Sequence, residues 1–349
     1  MSGEIRAGAR LPTLEDVARV AGVSRATVSR VVNGIRNVDP QLHEVVWHAV
    51  EVTGYVPNRA ARSLVTRRTG TVALVVSDNE DHDDDPFMSR FFADPFFGRV
   101  VGGLLSVLRP LGIQLALQLV GTQQARVRLV GDLRQGQADG AVVLSLHPED
   151  TLPALMTEAG LAAVLVGRPA TPLPVSYVDV ANDAGAALAA DHLVGRGCRQ
   201  VGMISGPVDV PASQDRIAGF RRAMARHGHP YVPAVAGNFT HDSGEQAMYQ
   251  LRREHPGLDG VFVANDLMAQ GALMALREAG CRVPDDVAVI GFDDSSAALA
   301  ARPPLTTIRH PLEDMAAESA RLLLARIDDP EQRVTSVIFD PVLVHRQSA

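Results

Sequence analysis

The chain has 349 residues, 46% hydrophobic and 21% charged, with a net charge of −7 and two cysteines, Cys198 and Cys281. That length exceeds one ordinary core, the composition is that of soluble globular domains, and so few cysteines exclude a disulfide scaffold or a thiol zinc cluster. No apolar run approaches membrane-spanning length, and "MSGEIRAGARLP" lacks the apolar core of a signal peptide, so a cytoplasmic location is expected. The charge is unevenly spread: residues 1–70 carry ten arginines against six acids, the remainder 23 against 34, and there is no lysine. A basic head on an acidic body suits a head that meets a polyanion.

In chain order, "TLEDVARVAGVSRATVSRVVNG" (residues 13–34) comes first. Thr13 is a helix N-cap, and Leu14, Val17, Ala18 and Ala21 repeat on one helical face. Gly22 permits a sharp turn, and Ser24 caps a second helix with Val28, Val31 and Val32 inward. Arg25, Ala26, Ser29, Arg30 and Asn33 then face outward. Asp39 and Pro40 open a third helix, with Leu42, Val45, Val46, Ala49 and Val50 at helical spacing. Two short helices across a tight turn, followed by a third, form a helix-turn-helix, whose second helix can enter a DNA major groove. A plain three-helix bundle fragment fits the same pattern. "GYVPNRAARSLVTRRTG" (residues 54–70) follows, with Asn58 as a cap before a segment too short to be a stable helix alone.

These two stretches resemble the headpiece and hinge of the lactose-repressor (LacI/GalR) family of bacterial transcription regulators. The resemblance implies a repressor that binds a pseudo-palindromic double-stranded DNA operator as a homodimer. Arg25, Ala26 and Arg30 would face bases, with Ser24, Thr27, Ser29 and Asn33 near phosphates or bases. It extends DNA contact to Thr13, Leu14, Tyr55, Asn58, Arg59 and Ala61, and makes Leu64 a wedge in the minor groove. His43, Val45 and Trp47 stand where the family is usually more basic.

From Thr71 on, apolar runs such as "TVALVVS", "IQLALQLV", "GAVVLSL", "AAVLVG", "VGMISG", "GVFVAN" and "VAVIGFDD" alternate with helical stretches including 98–111, 181–196, 216–227 and 267–279. This alternation predicts parallel sheets covered by helices, in two doubly wound lobes with a ligand cleft at the strand ends. The acidic stretch Asp81, His82, Asp83, Asp84 and Asp85 fits no calcium loop and reads as a solvated segment. Gly98 and Gly102 suggest close helix packing.

The family resemblance covers this body too. The expected architecture is an all-α headpiece (11–57), a hinge (58–70) and a periplasmic-binding-protein-like α/β core (71–349). Lobe 1 would comprise about 71–180 and 308–328, lobe 2 about 181–307 and 329–349, with crossings near Val180, Thr307–His310 and Asp328–Val334. Effector contacts are implied at Asp94, Phe96, Phe97, Ser145, Arg168, Arg216, Phe239, Asn265, Asp293 and His310. Such residues suit a polyhydroxylated ligand, a sugar or sugar derivative first: Arg216 and Asp293 can grip vicinal hydroxyls, Asn265 both donates and accepts, and Phe96, Phe97 and Phe239 offer flat faces for a sugar ring or a base. Arg216–Asp293 as an ion pair between lobes, and the phenylalanines as core, fit the same residues. No cofactor or metal motif is present, and no nucleophile elbow or phosphate loop supports an enzyme. An exported sugar-binding or chemosensory protein would share the lobes but needs a signal peptide.

Overall fold

The computed structural model describes residues 12–32, 39–56, 68–78, 94–145 and 147–349. The chain divides into two compact units, Met1–Gly70 and Thr71–Ala349.

In the first unit, α1 is Leu14–Ala21, α2 Arg25–Val32 and α3 Pro40–Thr53. Thr13 and Asp16 form a reciprocal capping box: the Thr13 amide donates to Asp16 Oδ2 (3.0 Å), and Thr13 Oγ1 accepts from the Asp16 amide (3.4 Å). Gly22 ends α1 at φ 66°, a left-handed geometry glycine adopts without cost. Ser24 Oγ accepts from the Thr27 amide (3.1 Å) at the head of α2, and Asp39 accepts from Gln41 (2.8 Å) at the head of α3. Val17, Val28, Val31, Val32, Val46, Ala49 and Val50 fill the core. Leu42 and Val45, apolar at the same helical spacing, stay 38% and 45% exposed. Val46, Ala49 and Val50 are the stripe that closes on so small a core, leaving Leu42 and Val45 on the solvent side. Asn33, Asn58, Arg59, Ala61, Leu64 and the acidic 81–85 stretch lie outside the described residues.

The second unit holds two six-stranded sheets. The first has strands β1 (Thr71–Ser77), β2 (Gln114–Val120), β3 (Gly140–Ser145), β4 (Ala163–Val166), β5 (Ser176–Val180) and β11 (Ser336–Phe339), in the order β11-β5-β4-β3-β1-β2. The second has β6 (Val201–Ser205), β7 (Ala234–Ala236), β8 (Gly260–Val263), β9 (Ala288–Asp293), β10 (Thr306–Arg309) and β12 (Val342–Val344), ordered β12-β10-β9-β8-β6-β7. All pairings are parallel except β10 with β12. Central strands are buried on both faces, as in β3 and β8, because helices cover them. Lobe 1 carries α4 (Pro95–Leu108), α5 (Gln123–Arg134), α6 (Leu152–Glu158) and α12 (Leu312–Asp328). Lobe 2 carries α7 (Asn182–Gly195), α8 (Pro211–Arg226), α9 (His241–Glu254), α10 (Asp266–Glu278) and α11 (Ser296–Ala300).

Two boundaries differ from expectation. Thr306–Arg309 pairs with β9, so lobe 2 runs through residue 309 and the second crossing falls at 310–311. Val337 pairs with Val178, placing 336–339 in lobe 1 and moving the third crossing from 328–334 to 340–341. Alternating exposure along this short edge strand hides it from a search for continuous apolar runs.

Close helix packing in lobe 2 rests on Gly219 of α8, where an added Cβ would lie 2.1 Å from the Asp183 carbonyl oxygen of α7. Gly131 of α5 has open space around it. Gly219→Ala is expected to destabilise the core by about 2–3 kcal/mol, because backbone must move. Gly131→Ala should be neutral or stabilise by up to about 1 kcal/mol. Urea denaturation of both variants checks the contrast, and equal stability would contradict this packing.

Candidate functional site

The headpiece presents Arg25, Ala26 and Arg30 to solvent along α2, with Ser29 half-buried. Arg25 is 68% exposed at its side chain and sits 3.1 Å from Glu15 Oε1. Ser24 and Thr27 hydroxyls bond each other (2.9 Å) at the head of the helix. Thr13 is engaged in its cap, while Leu14 and Tyr55 pack against the valine core. An exposed arginine at the start of a helix, held over a rigid core, is the arrangement that reaches base edges in a major groove.

The second constellation lies between the lobes. Arg216, one turn into α8, is buried. Its Nε donates to Asn182 Oδ1 (2.8 Å), another nitrogen donates to the Ala264 carbonyl, and the guanidinium lies 3.6 Å from the Phe292 ring centroid. Burial pulls its pKa down, opposed by nearby carboxylates led by Asp293. Asn182 in turn donates to Asp179 Oδ1 (3.2 Å), whose second oxygen accepts from the Arg168 amide (3.0 Å). Burial pushes the Asp179 carboxyl up, partly offset by these backbone donors. The cation is therefore oriented through a chain of hydrogen bonds ending in lobe 1.

Asp293 ends β9 at φ 115°, followed by Asp294 at φ 54°. Two successive non-glycine residues in this region are costly and must be held by their surroundings. Asp294 is held by Arg309 (2.8 Å) and Arg346. Asp293 Oδ1 lies 3.3 Å from His310 Nδ1, and Phe96 and Phe292 flank the His310 ring at centroid distances of 6.2 and 6.1 Å. His310 Nε2 and the Ser213 hydroxyl are buried polar atoms without a partner among the described residues. Beneath this loop, buried Asp266 accepts from the Ser295 amide (2.7 Å), the Ser295 hydroxyl (3.0 Å) and Thr307 Oγ1 (2.6 Å).

The other expected residues divide. Asp94 caps α4 by accepting from Phe96 (2.9 Å), and Phe97 is buried in the lobe core rather than facing the cleft. Phe239 has φ 69°, its carbonyl accepts from Asn265 Nδ2 (3.0 Å), and its ring crowds Gly206, where a Cβ would sit 2.3 Å from it. Asn265 also caps α10 through Met268 (2.9 Å), so its amide shapes the wall. Ser145 ends β3 and donates to Asp150 (2.8 Å) in a lobe-1 cluster with Arg126. Arg168 is committed across the cleft: it makes a bidentate pair with Asp215 of lobe 2 (2.7 and 2.8 Å). Among the described residues Arg216 and Asp293 form no direct ion pair; they interact through space beside Phe292. Sequence reading missed Asn182, Asp179, Asp215 and Phe292. Asn182 and Asp179 had a usable signal, since they flank the carboxyl end of a strand, where such folds bind ligands.

A helix-turn-helix unit followed in the chain by a two-lobed core with a charged and aromatic cleft defines a ligand-responsive DNA-binding regulator. Residues 13–58 match the family described as bacterial regulatory proteins, lacI family, and residues 190–349 the periplasmic binding protein-like domain. The HTH-type transcriptional regulator CelR of Thermobifida fusca is 43% identical over 343 residues, covering 97% of this chain and 98% of that protein. GalR of Escherichia coli K12 is 33% identical, covering 97% and 96%. A CelR–cellobiose complex matches with TM-score 0.75 and 41% identity over 97% of this chain and 100% of that one. The lac repressor dimer bound to operator and the anti-inducer ONPF matches with TM-score 0.80 and 26% identity, over 97% and 99%. The chain belongs to the lacI family of bacterial transcriptional regulators.

The buried loop support makes a pH prediction. Burial, reinforced by Asp293, pushes Asp266 from 3.8 up to about 8. A folded pKa above the unfolded one means that this group favours folding below the unfolded value. That contribution is lost as pH rises through the window to about 8. Urea midpoints between about pH 4.5 and 8.5 should fall for the native chain relative to Asp266→Asn. A constant difference across that range would show that Asp266 does not titrate there.

Proposed function

We propose that this protein is a repressor whose operator affinity is set by a sugar held between the two lobes, with cellobiose the first candidate. The observation that carries the reading is the buried Arg216 guanidinium, oriented by Asn182 and lying in the field of Asp293, whose carboxylate meets His310. A cation and a carboxylate on the strand-end edge of a lobe can together bind adjacent hydroxyls, and Phe96 offers an apolar face. The identity to CelR, whose relative structure holds cellobiose, supports the choice of sugar. A homodimer would bring two α2 helices to successive half-sites of a pseudo-palindromic operator, with Arg25, Ala26 and Arg30 at base edges. Residues 11–57 then form the DNA-binding domain, 58–70 the hinge and 71–349 the effector and dimerisation core. The protein acts in the cytoplasm, by binding rather than catalysis. An exported sugar-binding protein would have no use for the headpiece.

Two variants separate the functions. Arg25→Ala should cost about 1–3 kcal/mol in operator binding and relax preference at one symmetric pair of base positions, with cellobiose binding intact. Arg216→Ala should weaken cellobiose binding by roughly 2–3 kcal/mol and keep operator binding without sugar. Calorimetric titration with cellobiose and selection from randomised operators measure both. An Arg216→Ala chain that binds cellobiose normally would refute the effector site. Loss of both activities would make Arg216 a structural residue.

A further inference from the structure

Arg99 is a cation of lobe 1 whose bonds reach lobe 2. It lies on α4, half-buried, and its guanidinium makes four hydrogen bonds. Two go to Glu313 at the start of α12, from Nε to Oε1 and from Nη2 to Oε2 (both 2.7 Å). Nη1 donates to the Asp293 carbonyl and Nη2 to the His310 carbonyl (both 2.9 Å). These carbonyls belong to the two residues whose side chains meet beside Arg216.

The base of this fork is rigid. One helical turn beyond Arg99, Gly103 brings α4 onto α12 so closely that a Cβ there would lie 2.3 Å from the Glu313 carbonyl oxygen. The bidentate pair with Glu313 fixes the guanidinium plane as well as its charge. What it holds is the strained position: Asp293 at φ 115°. A residue in that region persists only when its surroundings over-determine it, and the Asp293 carbonyl has two donors, Arg99 and the His310 amide (3.3 Å).

We propose that Arg99 is a positioning residue of the effector site, which fixes the Asp293–His310 backbone from lobe 1 and so aims the Asp293 carboxylate at the sugar. The inference rests on the reading that Asp293 binds effector. It makes the aim of a lobe-2 carboxylate depend on where a lobe-1 helix sits.

The test uses the full chain with Arg99→Ala, Arg99→Lys, Asp293→Asn and the double variant Arg99→Ala/Asp293→Asn. Hydrogen exchange without sugar reads the positioning directly. Segments 289–296 and 306–313 should exchange roughly tenfold faster in Arg99→Ala while the rest of lobe 2 keeps its protection. Arg99→Lys, which keeps the charge but loses the fork, should be intermediate. In cellobiose titrations Arg99→Ala should weaken binding roughly tenfold, and add no further loss once Asp293 is Asn. Native exchange in both Arg99 variants would overturn the inference, as would losses that simply add in the double variant. Should Arg99→Ala fail to fold, the Lys variant decides by the same exchange pattern. Native cellobiose affinity in Asp293→Asn would instead remove the reading of Asp293 itself, an outcome the exchange data keep separate.

Discussion

Burying the Arg216 guanidinium is the constraint around which the cleft is organised. A charge withdrawn from water is tolerated only when it is paired and hydrogen-bonded. Here the compensation comes from several directions: Asn182 at the first crossing, the Ala264 carbonyl after β8, the Phe292 face, and the field of Asp293 and Asp179. The Asn182 amide is turned with its oxygen toward Arg216 because its nitrogen donates to Asp179 Oδ1 and the Val180 carbonyl, and Asp179 also receives the Arg168 amide. Each of these residues sits at a strand end or crossing, so the doubly wound topology and the charge arrangement depend on one another.

The lobes are joined by more than three chain crossings. Arg168 reaches Asp215 from one side, and Arg99 reaches the Asp293 and His310 carbonyls from another. Side chains about a third exposed, as in the Arg168–Asp215 pair, exchange their bonds for water at little net cost. Such contacts suit a cleft that changes state for a small ligand. Effector can shift operator affinity only by its differential affinity for two states, typically about 1–3 kcal/mol of coupling.

Much of this was legible in the sequence because periodicity and caps are local. Thr13, Gly22, Ser24, Asp39 and Pro40 do in the structure what their residue types dictate, and seven strands stand out as apolar runs; six are buried as expected, while β2, at a sheet edge, buries only Val120. Leu42 and Val45 share the apolar spacing yet stay on the solvent side, because spacing alone does not say how wide a stripe a small core covers. Strand β11 was hidden by its alternating exposure, and pairing across 159 residues leaves no local trace. At the site, residue types were legible and partners were not. Arg168 and Arg216 look alike in sequence, yet one bridges the lobes at the rim and the other is buried on an aromatic ring. Phe97 and Phe96 are neighbours, and helical geometry turns only one of them into the core. Asp293 carries a backbone strain that no residue pattern announces.

If sugar and operator act on one protein through a shared conformational equilibrium, linkage makes the coupling measurable. Cellobiose affinity is determined by titration for the free protein and for the protein saturated with operator DNA, and operator affinity with and without saturating cellobiose. Both ratios should differ from one by the same factor, roughly five- to 150-fold, since coupling between two binding sites is reciprocal. Equal cellobiose affinity for the free and operator-bound protein, alongside tight binding of both ligands, would contradict it.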